Sequence, residues 1–400
     1  MKKILAMLLA LVMVLGLAAC GSAPAAEAPA ASETVYKVAM ITDYGDITDQ
    51  SFNQTTYEAC KAYAEANNVE FTYYKPAGDS DAERVAMIEK AIDEDYNVIV
   101  MPGFAFAGSI YAMQDVYPDV KFIALDVSEY DVQSCFYNKD ENGNWTTLID
   151  ENNPAHIAEN VYCAVYQEEL CGYMAGYAAV KLGYTKLGFL GGMAVPAVQR
   201  YGYGFVQGAD AAAKELNITI DMNYVYGGLF YGTADITAVM DTWYQGGTEV
   251  VFACGGGIYT SAVDAAKKVP GTKVIGVDTD QSGVIAAYAG DSDISLTVTS
   301  AMKGLYPTTL DTLTDVINNG NWAKYSGKVE TLGLISAEDP TANYVQIPME
   351  TTQWGDAFTQ DDYKAMVKAM FEGTLVVSAD ISAMPAVTNT NVVDQGQIVG

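Results

Sequence analysis

From position 35 onward the chain alternates short apolar runs with longer amphipathic stretches. Val35 to Ile41, Val69 to Tyr74, Val98 to Met101 and Lys121 to Leu125 are rich in Val, Ile, Phe and Tyr. They are mostly followed within two residues by Gly, Asp or Pro, which is the pattern of buried strands. Between them, Ser51 to Asn67, Ser80 to Glu94 and Ala107 to Tyr117 carry helical spacing. This βαβα order predicts a parallel sheet covered on both faces. A polar stretch from Tyr137 to Ala158, holding the only histidine, His156, reads as a surface loop or insertion at a domain crossover.

The alternation then resumes. Helices are expected over Val161 to Leu182, Tyr203 to Leu216, Ile236 to Gln245 and Thr260 to Lys268, and strands over Lys186 to Leu190, Ile218 to Tyr226, Glu249 to Cys254 and Lys273 to Val277. One more strand, Lys328 to Ile335, and one more helix, Asp361 to Glu372, follow. The result is an α/β chain of two consecutive units. In open α/β sheets ligands sit beyond the carboxyl ends of the strands, and those positions here hold Asp43, Gly103, Phe104, Asp126, Gly191, Gly192, Gly255 to Gly257 and Asp278. Turn glycines and helix-capping aspartates account for any one of them singly, but less readily for the whole set.

The N-terminus breaks the pattern. Lys2 and Lys3 precede an apolar run from Ile4 to Leu17, and Leu17-Ala18-Ala19 leads into Cys20, the layout of a secretory signal over residues 1–19. The run is shorter than the roughly 18 residues of a spanning helix. Leu-Ala-Ala-Cys resembles the bacterial lipobox, so Cys20 is the expected lipid anchor. Residues 20–34 form a tether, because 21–34 have no large apolar side chain with which to fold. The remaining length exceeds what one core usually organises, which predicts two domains.

Charge and composition narrow the partners. A formal net charge of −29 repels nucleic acid and offers no basic patch for anionic lipid. Besides Cys20, the cysteines are scattered without a C-x-x-C pair or a Cys/His cluster, which excludes the usual zinc and redox motifs; buried free thiols are expected. The lone histidine has no Ser or Cys signature to work with, and no G-x-S-x-G, H-E-x-x-H or P-loop motif occurs. Neither an enzyme nor a metal or other cofactor is expected. Carboxylates, one lysine and several aromatics suit a neutral polar ring compound, a sugar or a nucleoside.

Particular segments sharpen this. Thr42 to Gln54 reads T-D-Y-G-D-I-T-D-Q-S-F-N-Q, Phe122 to Asp126 reads F-I-A-L-D, and Val274 to Gln281 reads V-I-G-V-D-T-D-Q. Gly188 to Gly208 holds Gly191-Gly192-Met193, Pro196-Ala197-Val198 and Tyr201-Gly202-Tyr203-Gly204-Phe205, and Thr299-Ser300 precedes Lys303. These resemble the motifs of the basic membrane protein family, the PnrA-like nucleoside-binding lipoproteins that serve ABC importers, with the likeness running from about Val35 to Leu334. The resemblance implies a two-lobed, periplasmic-binding-protein-like (type I) fold that closes on a purine nucleoside. It implies that Asp43 and Asn53 face the ligand, with Asn53 bonding the base, and that Asp126 bonds the purine edge. Tyr201 stands where relatives carry a stacking phenylalanine, Gly255 supplies a backbone contact, and Asp278 and Lys303 bind the ribose hydroxyls. Ile47 occupies the place of a second stacking aromatic, with Tyr44 three residues earlier; both are counted as ligand contacts. Phe52 is expected in the core, and Tyr166 to Gly176 resembles the family's crossover helix.

The expected organisation is residues 35–157 and 281–322 in lobe 1, and 158–280 and 323–390 in lobe 2. The expected partners are a purine nucleoside, ABC permease subunits and, through the lipid on Cys20, the outer face of a bacterial cell membrane; nucleic acid is excluded and a monomer expected. The rival readings are a sugar- or furanose-binding protein, a ligand sensor for a membrane receptor, and a nucleoside-cleaving enzyme.

Overall fold

A computed structural model describes residues 35–139, 145–147, 149 and 154–399. The expected signal, Cys20 and the tether lie outside the described residues. Along the chain the strands are β1 (Lys37–Ile41), β2 (Glu70–Tyr74), β3 (Val98–Pro102), β4 (Lys121–Leu125), β5 (Tyr137–Lys139), β6 (Trp145–Thr147), β7 (Val161–Tyr166) and β8 (Lys186–Gly191). They continue as β9 (Ile220–Tyr226), β10 (Val250–Cys254), β11 (Lys273–Asp278), β12 (Thr297–Lys303), β13 (Lys328–Leu332), β14 (Val345–Gln346) and β15 (Thr390–Gln397).

Two sheets organise the molecule. The first has the order β13-β7-β4-β3-β1-β2 and is parallel throughout; the second has the order β14-β12-β11-β10-β8-β9-β15 and is parallel except for β14. The fold class is therefore α/β with two parallel-sheet lobes. In each sheet the chain steps outward to one side, returns past its first strand and continues on the other side. The strand order thus reverses between β1 and β3 in one lobe and between β8 and β10 in the other. That reversal is where the crevice of a doubly wound sheet opens. β3 and β10 are buried at every position, which is why they read as unbroken apolar runs.

The lobe boundaries differ from those expected. Val161–Tyr166, read as the start of a helix, is the strand β7 of the first sheet, and the helix begins only at Glu168. V-Y-C-A-V-Y is buried on both faces, and a fully buried strand has no alternation to distinguish it from a buried helix. β12, placed by the sequence in the first lobe, belongs to the second sheet, and β13, placed in the second lobe, belongs to the first. The chain passes between sheets after β7, after β12 and after β13, so segments distant in sequence complete each lobe. β15 extends past residue 390 and closes one edge of the second sheet beside β9. Within the Tyr137 to Ala158 stretch, β5 and β6 form an antiparallel pair.

The helix Glu168–Lys181 is buried almost along its whole length and crosses Pro196–Glu215 at backbone contact. A Cβ on Gly172, Gly176, Gly204 or Gly208 would lie 2.0–2.2 Å from a carbonyl oxygen of the facing helix. Glycine there lets the two backbones meet, which fixes Glu168, Arg200 and Tyr201 beneath the crevice.

Candidate ligand-binding site

The loops after β1, β3, β4, β8, β10 and β11 surround a cavity of about 350 Å³ between the lobes. Asp43, Tyr44, Asn53, Asp126, Tyr201, Gly255, Asp278 and Lys303 all line it. Ile47 does not: it is half-buried in the tight turn closed by the Asp49 amide on the Asp46 carbonyl, and that turn directs Tyr44, Asp46 and Asp49 toward the cavity instead. Ile47 therefore lies off the cavity wall.

The first loop is held by its own carboxylates. Asp43 Oδ1 accepts from the amides of Tyr44 (2.6 Å) and Gly45 (2.7 Å) and from Asn53 Nδ2 (3.1 Å). Asp49 caps the helix Phe52–Asn67, its carboxylate accepting from the amides of Ser51, Asn53 and Gln54 at 2.9–3.0 Å. Asn53 gives its second side-chain N–H to Asp49 (3.1 Å) and is 3% exposed, so its amide group braces Asp43 rather than standing free for a base. With Asp49 as the cap, the Ser51 hydroxyl is released to donate across the crevice to Asp278 Oδ2 at 2.7 Å.

Asp126, just after β4, and Asp278, the last residue of β11, lie in the left-handed backbone region, with φ of 61° and 64°. Aspartate enters that region more readily than most non-glycine residues, and both of these residues line the crevice. Between them lies Lys303, at the end of β12. Its ammonium donates to Asp126 Oδ2, and lies 3.5 Å from Asp278 Oδ1 and 3.6 Å from Glu168 Oε1. Glu168 in turn accepts from Arg200 Nε at 2.7 Å. Three carboxylates keep Lys303 protonated against the penalty of burial, raising its pKa. Burial, reinforced by the charges of Glu168 and Asp278, raises the Asp126 carboxyl while the lysine opposes the rise. Asp126 Oδ1 is buried without a partner among the described residues.

Opposite this polar floor stand aromatic rings. Phe104 after β3 and Phe230 after β9 approach each other from the two lobes with centroids 6.4 Å apart and ring planes tilted by 55°. Tyr201 is 1% exposed, packs edge-on against Phe252 and directs its hydroxyl to Asp278 at 3.4 Å, so it is a wall and a hydrogen-bond partner rather than an open stacking face. Phe52 also lines the cavity, with Lys303 Nζ 4.7 Å from its ring centroid. Sequence reasoning missed Phe230, Glu168 and Arg200; Phe52 packs against the core, as expected, and lines the cavity as well. Glu168 and Glu169 could have been suspected, since carboxylates at the head of an otherwise apolar helix need a buried partner.

The lobes are latched around this cavity by Ser51 on Asp278, by Gln281 Nε2 on the Gln50 carbonyl (3.2 Å) and by the Tyr44 hydroxyl against Met193 Sδ (3.9 Å). Two parallel-sheet lobes clasping a polar and aromatic cavity define a solute-binding protein. Over residues 36–347 the chain matches, and belongs to, the family described as ABC transporter substrate-binding protein PnrA-like. Among its relatives is the "ABC transporter nucleoside-binding protein BmpA" of Lactococcus lactis subsp. cremoris, 27% identical over 70% of this chain and 74% of its own. Basic membrane protein D of Borreliella burgdorferi is 24% identical over 80% of this chain and 84% of its own. In fold it is similar to an ABC transporter system solute-binding protein from Aeropyrum pernix K1, with TM-score 0.63, 18% identity, and 85% and 87% of the two chains covered. One from Conexibacter woesei gives TM-score 0.60, 20% identity, and 86% and 99%.

Proposed function

We propose that this protein captures a purine nucleoside between its lobes and presents it to the permease of an ABC importer, held at the outer face of the membrane by lipid on Cys20. The carrying observation is the division of the cavity into an aromatic pair, Phe104 and Phe230, and a polar cluster, Lys303 with Asp126, Asp278 and Ser51. The base lies against the rings, and the ribose hydroxyls exchange hydrogen bonds with Asp278 and Lys303. Asp126 Oδ1 accepts from the ligand, and Asp43, braced by Asn53, and the Gly255 backbone complete the contacts together with Tyr44 and Tyr201. The name of the Lactococcus relative supports a nucleoside, and two Pyrococcus relatives named as uncharacterized lipoproteins support the anchor. Among the described residues no helix is long and apolar enough to cross a membrane. The protein acts by capture and closure as a monomer, without covalent chemistry.

Isothermal titration of the mature, unlipidated chain with inosine, guanosine, adenosine, cytidine and ribose tests this. Purine nucleosides bind tightly, and Asp278→Ala weakens them by at least about 100-fold, since hydrogen bonds to a buried charge are worth about 1.5–3 kcal/mol each. Binding of ribose alone would make the protein a sugar carrier, and appearance of free base on long incubation would make it an enzyme.

A further inference from the structure

Phe230 sits in a loop that supports itself poorly. Gly227 and Gly228 precede it and Gly232 follows two residues later, and paired glycines leave a backbone with much conformational freedom to lose. One flank is held by the sheet: the amides of Gly227 and Gly228 donate to the carbonyls of Gly191 (2.7 Å) and Gly192 (3.0 Å), and Gly257 N donates to the Phe230 carbonyl (2.9 Å). The other flank is held by the C-terminus. Beyond β15, Ile398 N donates to the Tyr226 carbonyl (2.9 Å) and Val399 N to the Gly227 carbonyl (3.2 Å), while Gln397 Nε2 folds back onto the Val399 carbonyl (2.6 Å). Gly228 has φ +86°, and a Cβ there would lie 1.9 Å from the Val399 carbonyl oxygen, so the strap passes at backbone contact. Ile398 packs on the outer core of the second lobe. All of this strap lies beyond residues 36–347, the part that matches the family.

We propose that the segment Gln397–Val399 is a brace that sets the position of Phe230, so that a segment outside the family match helps determine how this protein grips the base. The inference rests on the reading of Phe230 as a base contact. The brace is a positioning element: it touches the ligand-facing loop and not the cavity.

Four chains are compared: full length, one ending at Gly396, Phe230→Ala, and Phe230→Ala ending at Gly396. Each is titrated with inosine, and amide hydrogen exchange is followed in the ligand-free state. Loss of the brace is expected to weaken inosine binding about tenfold in the parent and to have little further effect in the Phe230→Ala background, the non-additivity expected of coupled positions. Exchange at Gly227 and Gly228 quickens while the rest of the second sheet keeps its protection. Val399→Pro, which removes one donor and no residues, changes both readouts in the same direction by less. Equal affinity with and without the brace overturns the inference, as does an equal loss in both backgrounds or faster exchange throughout the second sheet. If the full-length chain binds no nucleoside, the functional reading fails on its own, and unchanged exchange at Gly227 and Gly228 then removes the brace as well.

Discussion

Lys303 shows how one buried charge organises a site. An ammonium taken out of water is costly unless paired, and removing one partner of a buried pair costs about 3–5 kcal/mol; here three carboxylates share the cation. The helix Glu168–Lys181 adds a second acid that the cavity does not use. Glu169 is 3% exposed with one carboxylate oxygen unpartnered among the described residues, and burial, with the charge of Glu168 adding to it and Arg200 opposing it, pushes its pKa from 4.5 up to about 7. A carboxyl that holds its proton more tightly when folded favours folding fully below about pH 4.5, and that contribution is lost as pH rises to about 7. The change corresponds to about 3 kcal/mol. Glu169→Gln keeps the shape and removes the titration. Its melting temperature at pH 8 should exceed the parent's, and the parent's decline between pH 5 and 8 should flatten, as thermal melts across that range would show. A parallel decline in both proteins would mean that Glu169 is not the responsible group.

At the scale of elements, the site depends on two helices meeting without side chains between them. Gly204 lies against the Glu169 carbonyl, where a Cβ would be at 2.2 Å, and backbone cannot swing aside as a side chain can. Gly204→Ala should destabilise the fold by about 1–3 kcal/mol, the usual cost of overpacking, and weaken ligand binding because Arg200 and Tyr201 sit on the displaced helix. Denaturant unfolding and titration of the same preparation read the two effects. This packing was only half visible in the sequence. The Gly-rich spacing of both helices resembled a family feature, but a helix apolar on every side has no face that announces its partner. Strand ends were far more legible: Asp43, Phe104, Asp126, Gly255 and Asp278 stand where a parallel sheet puts its ligand, and all reach the cavity. Phe230 was hidden because its loop follows β9 by four residues and enters the cavity only through tertiary support. Asn53 and Tyr201 line the cavity, but their bonds were not legible, since a hydrogen bond to Asp49 or Asp278 depends on the fold closing.

For the whole molecule, two consecutive α/β units followed from alternation and their two-lobed arrangement from the family resemblance, whereas the lobes' membership followed from neither, because β12 stays beside β11 in the second sheet while β13 leaves both of its neighbours, β12 and β14, to join the first. Charge was legible from the start, and it bears on selectivity. The chain carries −29 overall, and the cavity wall holds Asp43, Asp46, Asp49, Asp126, Asp131 and Asp278. Of the two cations on that wall, Lys303 is surrounded by carboxylates and Arg200 is bonded to Glu168. A nucleoside 5′-monophosphate would bring nearly two negative charges into this field, against like charges within a low-dielectric crevice where each repulsion exceeds its value in water. It would also have to part an existing ion pair to gain a cation, leaving a buried carboxylate uncompensated. Inosine 5′-monophosphate should therefore bind at least about 100-fold more weakly than inosine, a difference of about 2.7 kcal/mol. Raising the ionic strength from 0.05 to 0.5 M narrows the gap only modestly, because charges inside the crevice are screened less than those on the surface. Competition of the monophosphate against bound inosine at both salt concentrations measures this. Equal affinities would mean that Arg200 or Lys303 is free to meet a phosphate, and that the carboxylates around them do not set the charge of the ligand.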